Sequence, residues 1–196
     1  MKEAVATRLQ WNLDRVKHLV AVYGQLKQTS GRPTVEQADI LRAAVVFLHA
    51  TLEDFLRGLL EWKLPLAAPG HLIDVPFVGK KSRANITLED LAHYRGSSVD
   101  NVISRSVERH LERSNFNDPG EIDAVLERVG LSKQLLDPHR SELGPMMSRR
   151  HWIVHRADRD SRSGSGQQAA VALDVSTVES WINALSSFGN SVLQGL

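Results

Sequence analysis

The segment from Leu41 to Trp62 carries the strictest pattern in the chain. Leu41, Val45, Leu48, Leu52, Phe55, Leu59 and Trp62 follow one another at alternating spacings of four and three. That places them on one stripe of an α-helix long enough to pack along several others. Thr34 with Gln37 makes a capping box that starts this helix, and Pro65 with Pro69-Gly70 ends it. An earlier seam, Leu9, Leu13, Val16, Val20, Tyr23 and Leu26, predicts a long first helix, broken at Thr29-Ser30-Gly31-Arg32-Pro33. The chain is expected to be all-α, a four-helix-bundle core with two or three additional short helices.

The remaining segments read as follows. Residues from about 65 to 86 are irregular, and Leu72-Ile73-Asp74-Val75 fits either a short strand or a buried turn. Thr87 with Asp90 resembles a helix start, and Ser98 caps a helix through Val102, Val107 and Leu111. Asp118-Pro119 sets an N-cap before a proline at the first helical position, and Gly130 stops that helix after Val129. A further helix from about Pro138 carries Leu143, Met146, Met147, Ile153 and Val154, with Gly144-Pro145 placed to delay its straight part. Ser161 to Gly166 reads as a flexible tip, and Ser176 or Thr177 as the cap of a last helix through Val178, Trp181, Ile182, Leu185, Phe188 and Val192. No internal repeat or linker interrupts the pattern, so residues 1–196 are expected to form a single helical domain.

Composition narrows the functional classes. With no cysteine, a disulfide scaffold and a Cys-ligated metal site are both excluded. Met1-Lys2-Glu3-Ala4 leads into an amphipathic segment without a signal-peptide core, and no run of about 18 apolar residues occurs, so no membrane association and a cytoplasmic location are expected. The net charge is +1, yet Arg149, Arg150, His151, His155, Arg156, Arg159 and Arg162 crowd one short stretch against Asp158 and Asp160. Such a patch can hold phosphates, and it also suits the negative end of a helix dipole.

Within that patch, Arg150-His151-Trp152-Ile153-Val154-His155 sets a guanidinium and an imidazole five residues apart. An arginine with a histidine five to seven residues later also occurs at Arg42 with His49 and at Arg105 with His110. What distinguishes the later pair is the apolar Ile153-Val154 between polar flanks and the polar residue directly after the arginine. Arg149 also satisfies the spacing to His155, while His151 after Arg150 favours the second register. Histidine titrates near neutrality and can move protons, and arginine offers a planar, permanently charged fork that matches two phosphate oxygens. Residues five apart on an ideal helix point about 140° away from each other, so one chain alone makes a poor site.

The segment Arg149 to Asp158 resembles the signature of the HEPN superfamily, an arginine followed after four to six residues by histidine, on a late helix of a four-helix core. The resemblance implies metal-independent cleavage of RNA through the substrate's own 2′-OH, with no cofactor. It further implies a homodimer whose two-fold axis brings two arginines and two histidines into one cleft, in a toxin or defence setting with an antitoxin or other regulatory protein as a possible partner. Arg150 and His155 then take the catalytic roles, His151, Glu53 and Arg149 support them, and Arg156 and Arg159 hold the RNA backbone. Two other outcomes stay open: an inactive HEPN module that binds nucleotide, RNA or a protein, and a purely structural helical dimerisation domain.

Other signals compete. His151 and His155 share a helix face with Asp158 one turn on, a metal-ligand spacing, but Trp152 stands where the zinc-protease pattern has glutamate. Arg42, His49 and Glu53 fall on the polar side of the second helix, where His49 and Glu53 can form a surface pair or orient a site group. Trp11, Trp62, Trp152 and Trp181 read as core or interface anchors, and Met146-Met147 as core or dimer packing. The chain holds no Gly-rich phosphate loop and no GxSxG elbow.

Overall fold

The computed structural model describes residues 1–27, 33–80, 85–159 and 171–196. Part of the break at 29–33 and the Ser161–Gly166 tip, with Asp160 and Arg162, lie outside the described residues. Seven α-helices follow in order: α1 Lys2–Leu26, α2 Val35–Lys63, α3 Leu88–Ala92, α4 Val99–Leu111, α5 Pro119–Arg128, α6 Arg140–Arg156 and α7 Val175–Gly195. No β-strand occurs among the described residues, and none of the helices there is long and apolar enough to cross a membrane.

Local chemistry accounts for most helix ends. Thr34, Thr87 and Asp118 each close a full capping box, with Gln37, Asp90 and Glu121 as the reciprocal partners. Ser98 accepts from the Asn101 N–H and caps α4. After α5 the chain turns at Gly130, whose φ of 82° favours a residue without Cβ.

The packing centre is α2. It contacts α1, α4, α5, α6 and α7, and α7 also packs on α1 and α6. The seam read from the sequence is buried from Leu41 to Leu59, but so are Ala44, Leu56 and Leu60 on neighbouring faces. A helix that is apolar on most of its circumference is one enclosed by others. The α1 seam from Leu9 to Tyr23 is buried against it, and Phe55 meets Phe188 of α7 edge to face at 6.4 Å. At Gly189 α7 comes close to α1: a Cβ there would come within 2.4 Å of Leu9 Cδ2, so the Leu9 side chain would have to shift. All the buried apolar residues belong to one connected core.

Several local expectations are corrected. Leu72–Val75 is neither strand nor deeply buried: a 3₁₀ turn at Pro69–Leu72 runs into a turn closed by the Val75 N–H on the Leu72 carbonyl, with Ile73 exposed. Pro145 does not delay α6, which starts at Arg140 after a 3₁₀ segment, Lys133–His139. Pro145 and Ser141 are both exposed, so water can satisfy the Ser141 carbonyl that loses its intrahelical N–H partner. The last helix begins at Val175 with Asp174 as N-cap, ahead of Ser176 and Thr177. Of the four tryptophans only Trp181 is buried in the core, whereas Trp11 and Trp152 are exposed. Met146 and Met147 are both buried in the core.

Candidate functional site

The end of α6 carries the motif, and it is fixed by an ion cluster. Ala157 and Asp158 both adopt left-handed backbone, with φ of 49° and 56°, and both donate their N–H to the Trp152 carbonyl. This turn drives the Asp158 side chain inward to 1% exposure. There Oδ2 accepts from Arg42 Nε at 2.8 Å and from Arg149 Nη2 at 2.7 Å. The same two guanidiniums donate to the Val171 carbonyl, Arg149 reaches the Ala172 carbonyl at 3.3 Å, and Arg42 pairs with Asp39 at 3.0 Å. Val171 in turn donates its N–H to the Asp158 carbonyl at 3.0 Å. Arg149 is therefore committed to holding the end of α6 against α2 and the segment before α7. Asp158 is equally committed, which removes the third member of the His151–His155–Asp158 metal set. Among the described residues no three His, Cys, Asp or Glu side chains converge to hold an ion.

Arg150, one residue on, faces elsewhere. Its Nη1 donates to Asn117 Oδ1 at 3.4 Å, a long contact, and it has no carboxylate partner among the described residues. Asn117 belongs to the strap 114–118 between α4 and α5, and that strap is tied to α2. Arg57 donates to the Leu111 and Ser114 carbonyls at 3.2 and 3.0 Å, and Glu53 Oε1 accepts the Phe116 N–H at 3.4 Å. Phe116 is buried, and the N–H of Asn117 is taken by the Glu121 carboxylate of the α5 capping box. The strap is thus set from both sides, and Asn117 presents its amide at the Arg150 guanidinium.

Behind this strap lies His49 of α2. It is 1% exposed, so the expectation of a surface His49–Glu53 pair is corrected. Glu53 Oε1 stands 3.8 Å from His49 Nδ1, outside hydrogen-bonding distance, and among the described residues neither ring nitrogen has a partner in good geometry. Burial lowers the His49 pKa; the Glu53 charge opposes that, the Arg150 charge adds to it, and the Phe116 backbone opposes it more weakly. The imidazole is neutral at pH 7, beside a cation that would resist its protonation.

His155 stays on the surface. Its ring packs against that of His151 at a tilt of 44°, centroids 4.6 Å apart, and both side chains are exposed. Arg156 lies over the Trp152 ring at 5.0 Å, and Arg159 is exposed. Within one chain, then, Arg150 meets Asn117 and its charge acts on His49, which Glu53 approaches, while His155 pairs with His151. Asn117 gave no signal in the sequence, because its approach to Arg150 spans 33 residues. His49 was visible only as a polar residue of α2, and the apolar girth of that helix was the sign that it would be enclosed.

Comparisons with models of protein families, with curated proteins and with solved structures give no match for this chain.

Proposed function

We propose that the chain is a metal-independent endoribonuclease of HEPN type that works as a homodimer. The observation that carries this reading is the state of the α6 end. Arg149 is held by Asp158, whereas Arg150 has only a long amide contact among the described residues, and the imidazoles of His151 and His155 stand exposed elsewhere on the same helix end. A two-fold pairing of α6 ends would set Arg150 of one chain near His155 of the other, relieving the angular mismatch between residues five apart. In that cleft an imidazole takes the proton of the RNA 2′-OH, whose oxygen attacks the adjacent phosphorus. The bond to the 5′-oxygen breaks and that oxygen receives a proton, leaving a 2′,3′-cyclic phosphate and a 5′-hydroxyl. Arg150 stabilises the charge gathered on the phosphate, His151 and Arg156 position the backbone, and Arg159 adds a phosphate contact. A toxin or defence role, with an antitoxin-like protein partner, follows from the HEPN likeness alone.

The test is cleavage of single-stranded RNA in EDTA. Wild type should cut, a 2′-deoxy substitution at the cut site should block cutting, and Arg150→Ala and His155→Ala should each lose activity with little change in unfolding temperature. Cleavage that fails in EDTA and returns with zinc or magnesium would sink the mechanism. So would a monomer by light scattering that still cuts, since the cleft needs two copies. The separation of Arg150 from His155 within one chain also favours a second reading, a module that binds RNA or nucleotide without cutting it. That form would bind the same RNA and release it intact.

A further inference from the structure

A polar cavity of about 330 Å³ lies between the C-terminal half of α4, the start of the strap and the turn at residues 76–80. Its size falls at the lower end of small-ligand sites, about 300–1,000 Å³. Lys80, Arg109, His110 and Arg113 line it together with Ser106 and Ser114, whose hydroxyls donate to the Val102 and His110 carbonyls, and no carboxylate is among its described lining residues. The acids that meet these cations stand outside it: Asp90 on Lys80 and Glu112 on Arg109, each at 2.8 Å. The Arg109–Glu112 pair is well exposed, so it is weak and readily exchanged for a stronger anion. Arg113 is exposed and has no carboxylate partner among the described residues. Lys80 and Arg109 each keep a carboxylate partner and Arg113 has none among the described residues, so the cavity carries one unmatched cation beside an exchangeable one, and guanidiniums match phosphate oxygens bidentately through their paired N–H groups.

We propose that this cavity is a phosphate-binding site, distinct from the α6 end and taking either a backbone phosphate of the RNA held at Arg150 or the phosphate of a small phosphorylated molecule. The first source rests on the ribonuclease reading; the site itself does not. Continuity favours RNA. Arg113, just before the strap, and Asn117 on it are four residues apart, so their Cα atoms are separated by no more than about 14 Å. A strand gripped at Arg150 has its neighbouring phosphates within that reach. His110 supplies an internal reporter, since burial and the nearby Arg128 charge depress its pKa and a bound phosphate would push it back up.

Two measurements on the full chain decide the matter. In the first, binding of a 2′-O-methyl single-stranded RNA, which cannot be cut, is followed across a salt series for wild type, Arg113→Gln and Arg109→Gln. Both side chains are exposed, so both variants should fold. Each should bind more weakly on every RNA sequence, with the slope of log K against log salt shallower by about 0.7 per lost phosphate contact. In the second, the His110 ring is titrated by NMR with and without inorganic phosphate or adenosine monophosphate. A raised His110 pKa in wild type, lost in Arg113→Gln, supports the site. If it arises with adenosine monophosphate at low concentration while RNA slopes are unchanged, the occupant is a small phosphorylated molecule. If wild type binds no RNA but His110 still responds, the ribonuclease reading fails and the phosphate site stands. Unchanged salt slopes together with an unresponsive His110 overturn the proposal.

Discussion

Arg149 and Arg150 stand side by side on α6, about 100° apart around its axis, and meet opposite surroundings. Arg149 turns inward to a carboxylate that is 1% exposed and shared with Arg42, where every guanidinium contact is 3.3 Å or shorter. Arg150 turns to an exposed strap, where its contact is a 3.4 Å approach to an amide oxygen. In the first region two guanidiniums share one carboxylate oxygen, although Arg149 Nε and Asp158 Oδ1 are buried without a partner among the described residues; the second keeps a cation whose charge acts on an imidazole likewise without a partner there. A charge already matched strengthens the structure and has little left for a ligand. A charge left unmatched in a cleft weakens the structure slightly and can act on what binds there. The contrast assigns Arg149 to stability and Arg150 to function, although a spacing rule treats both alike.

The largest effect should come from the matched region. Asp158→Ala leaves Arg42 and Arg149 half-enclosed without their shared anion. Stranding buried charges in this way costs about 3–5 kcal/mol. Urea denaturation should show the midpoint falling by that loss divided by the slope, with the slope itself unchanged. A loss below about 1 kcal/mol would mean that water screens the cluster and that the contrast between the two arginines is one of geometry only. Arg149→Ala comes next, at about 1.5–3 kcal/mol, the value of hydrogen bonds to a charged group, since Arg42 still partners Asp158. Its RNA cleavage, measured well below the lowered unfolding temperature, should stay near wild type. A variant that keeps its stability and loses cleavage would hand the leading role to Arg149 instead.

How much of this was legible follows from how far apart the partners lie in sequence. The α2 seam, the α1 seam and the caps at Thr34, Thr87, Ser98 and Asp118 are local patterns, and each appears where the residues place it. The start of α7 was misplaced because Asp174 has no side-chain capping bond to distinguish it from Ser176 and Thr177. The Arg150–His155 motif could be read, but the distinct commitments of Arg149 and Arg150 could not. They depend on Arg42, 107 residues before Arg149, and on Asn117, which reaches Arg150 through a strap that Glu53 and Arg57 hold. The left-handed turn at Ala157–Asp158 was hidden as well, since neither residue is the glycine that usually marks one.

A smaller and opposite effect is expected behind the strap. His49→Phe replaces two buried nitrogens that lack partners with a ring of similar shape, and should stabilise by about 1 kcal/mol at pH 7. The gain should grow in acid. Because burial lowers the folded pKa, the unfolded chain binds more protons between that value and the unfolded histidine pKa of about 6.5. Wild-type stability is then fully present above about 6.5 and is lost as pH falls through the window below it. His110 and His139 are lowered by burial in the same direction and remain in the variant, so the acid loss should shrink rather than vanish. Thermal melts from pH 7.5 to 5 would measure it. If the variant is less stable at every pH, then His49 has partners in solution and is not held in reserve beside Arg150.

The smallest effect tests the hinge between the two regions. Ala157 is held at φ 49°, where an L-residue with a Cβ is strained by about 1–2 kcal/mol, and it is exposed, so its methyl group contributes little packing. Ala157→Gly removes that strain but enlarges the unfolded ensemble, which takes back about 0.5–1 kcal/mol. The net change should be a gain of up to about 1 kcal/mol, readable as a rise in the urea midpoint. The turn also sets where α6 stops, with the N–H groups of both Ala157 and Asp158 on the Trp152 carbonyl. If the turn has the same geometry in solution, glycine leaves Asp158 between its arginines, and combining Ala157→Gly with Asp158→Ala should forfeit most of the gain. If the two changes instead add without interaction, the left-handed turn and the ion cluster are independent. The end of α6 would then be held by the backbone alone, and the division of labour between Arg149 and Arg150 would lose its structural cause.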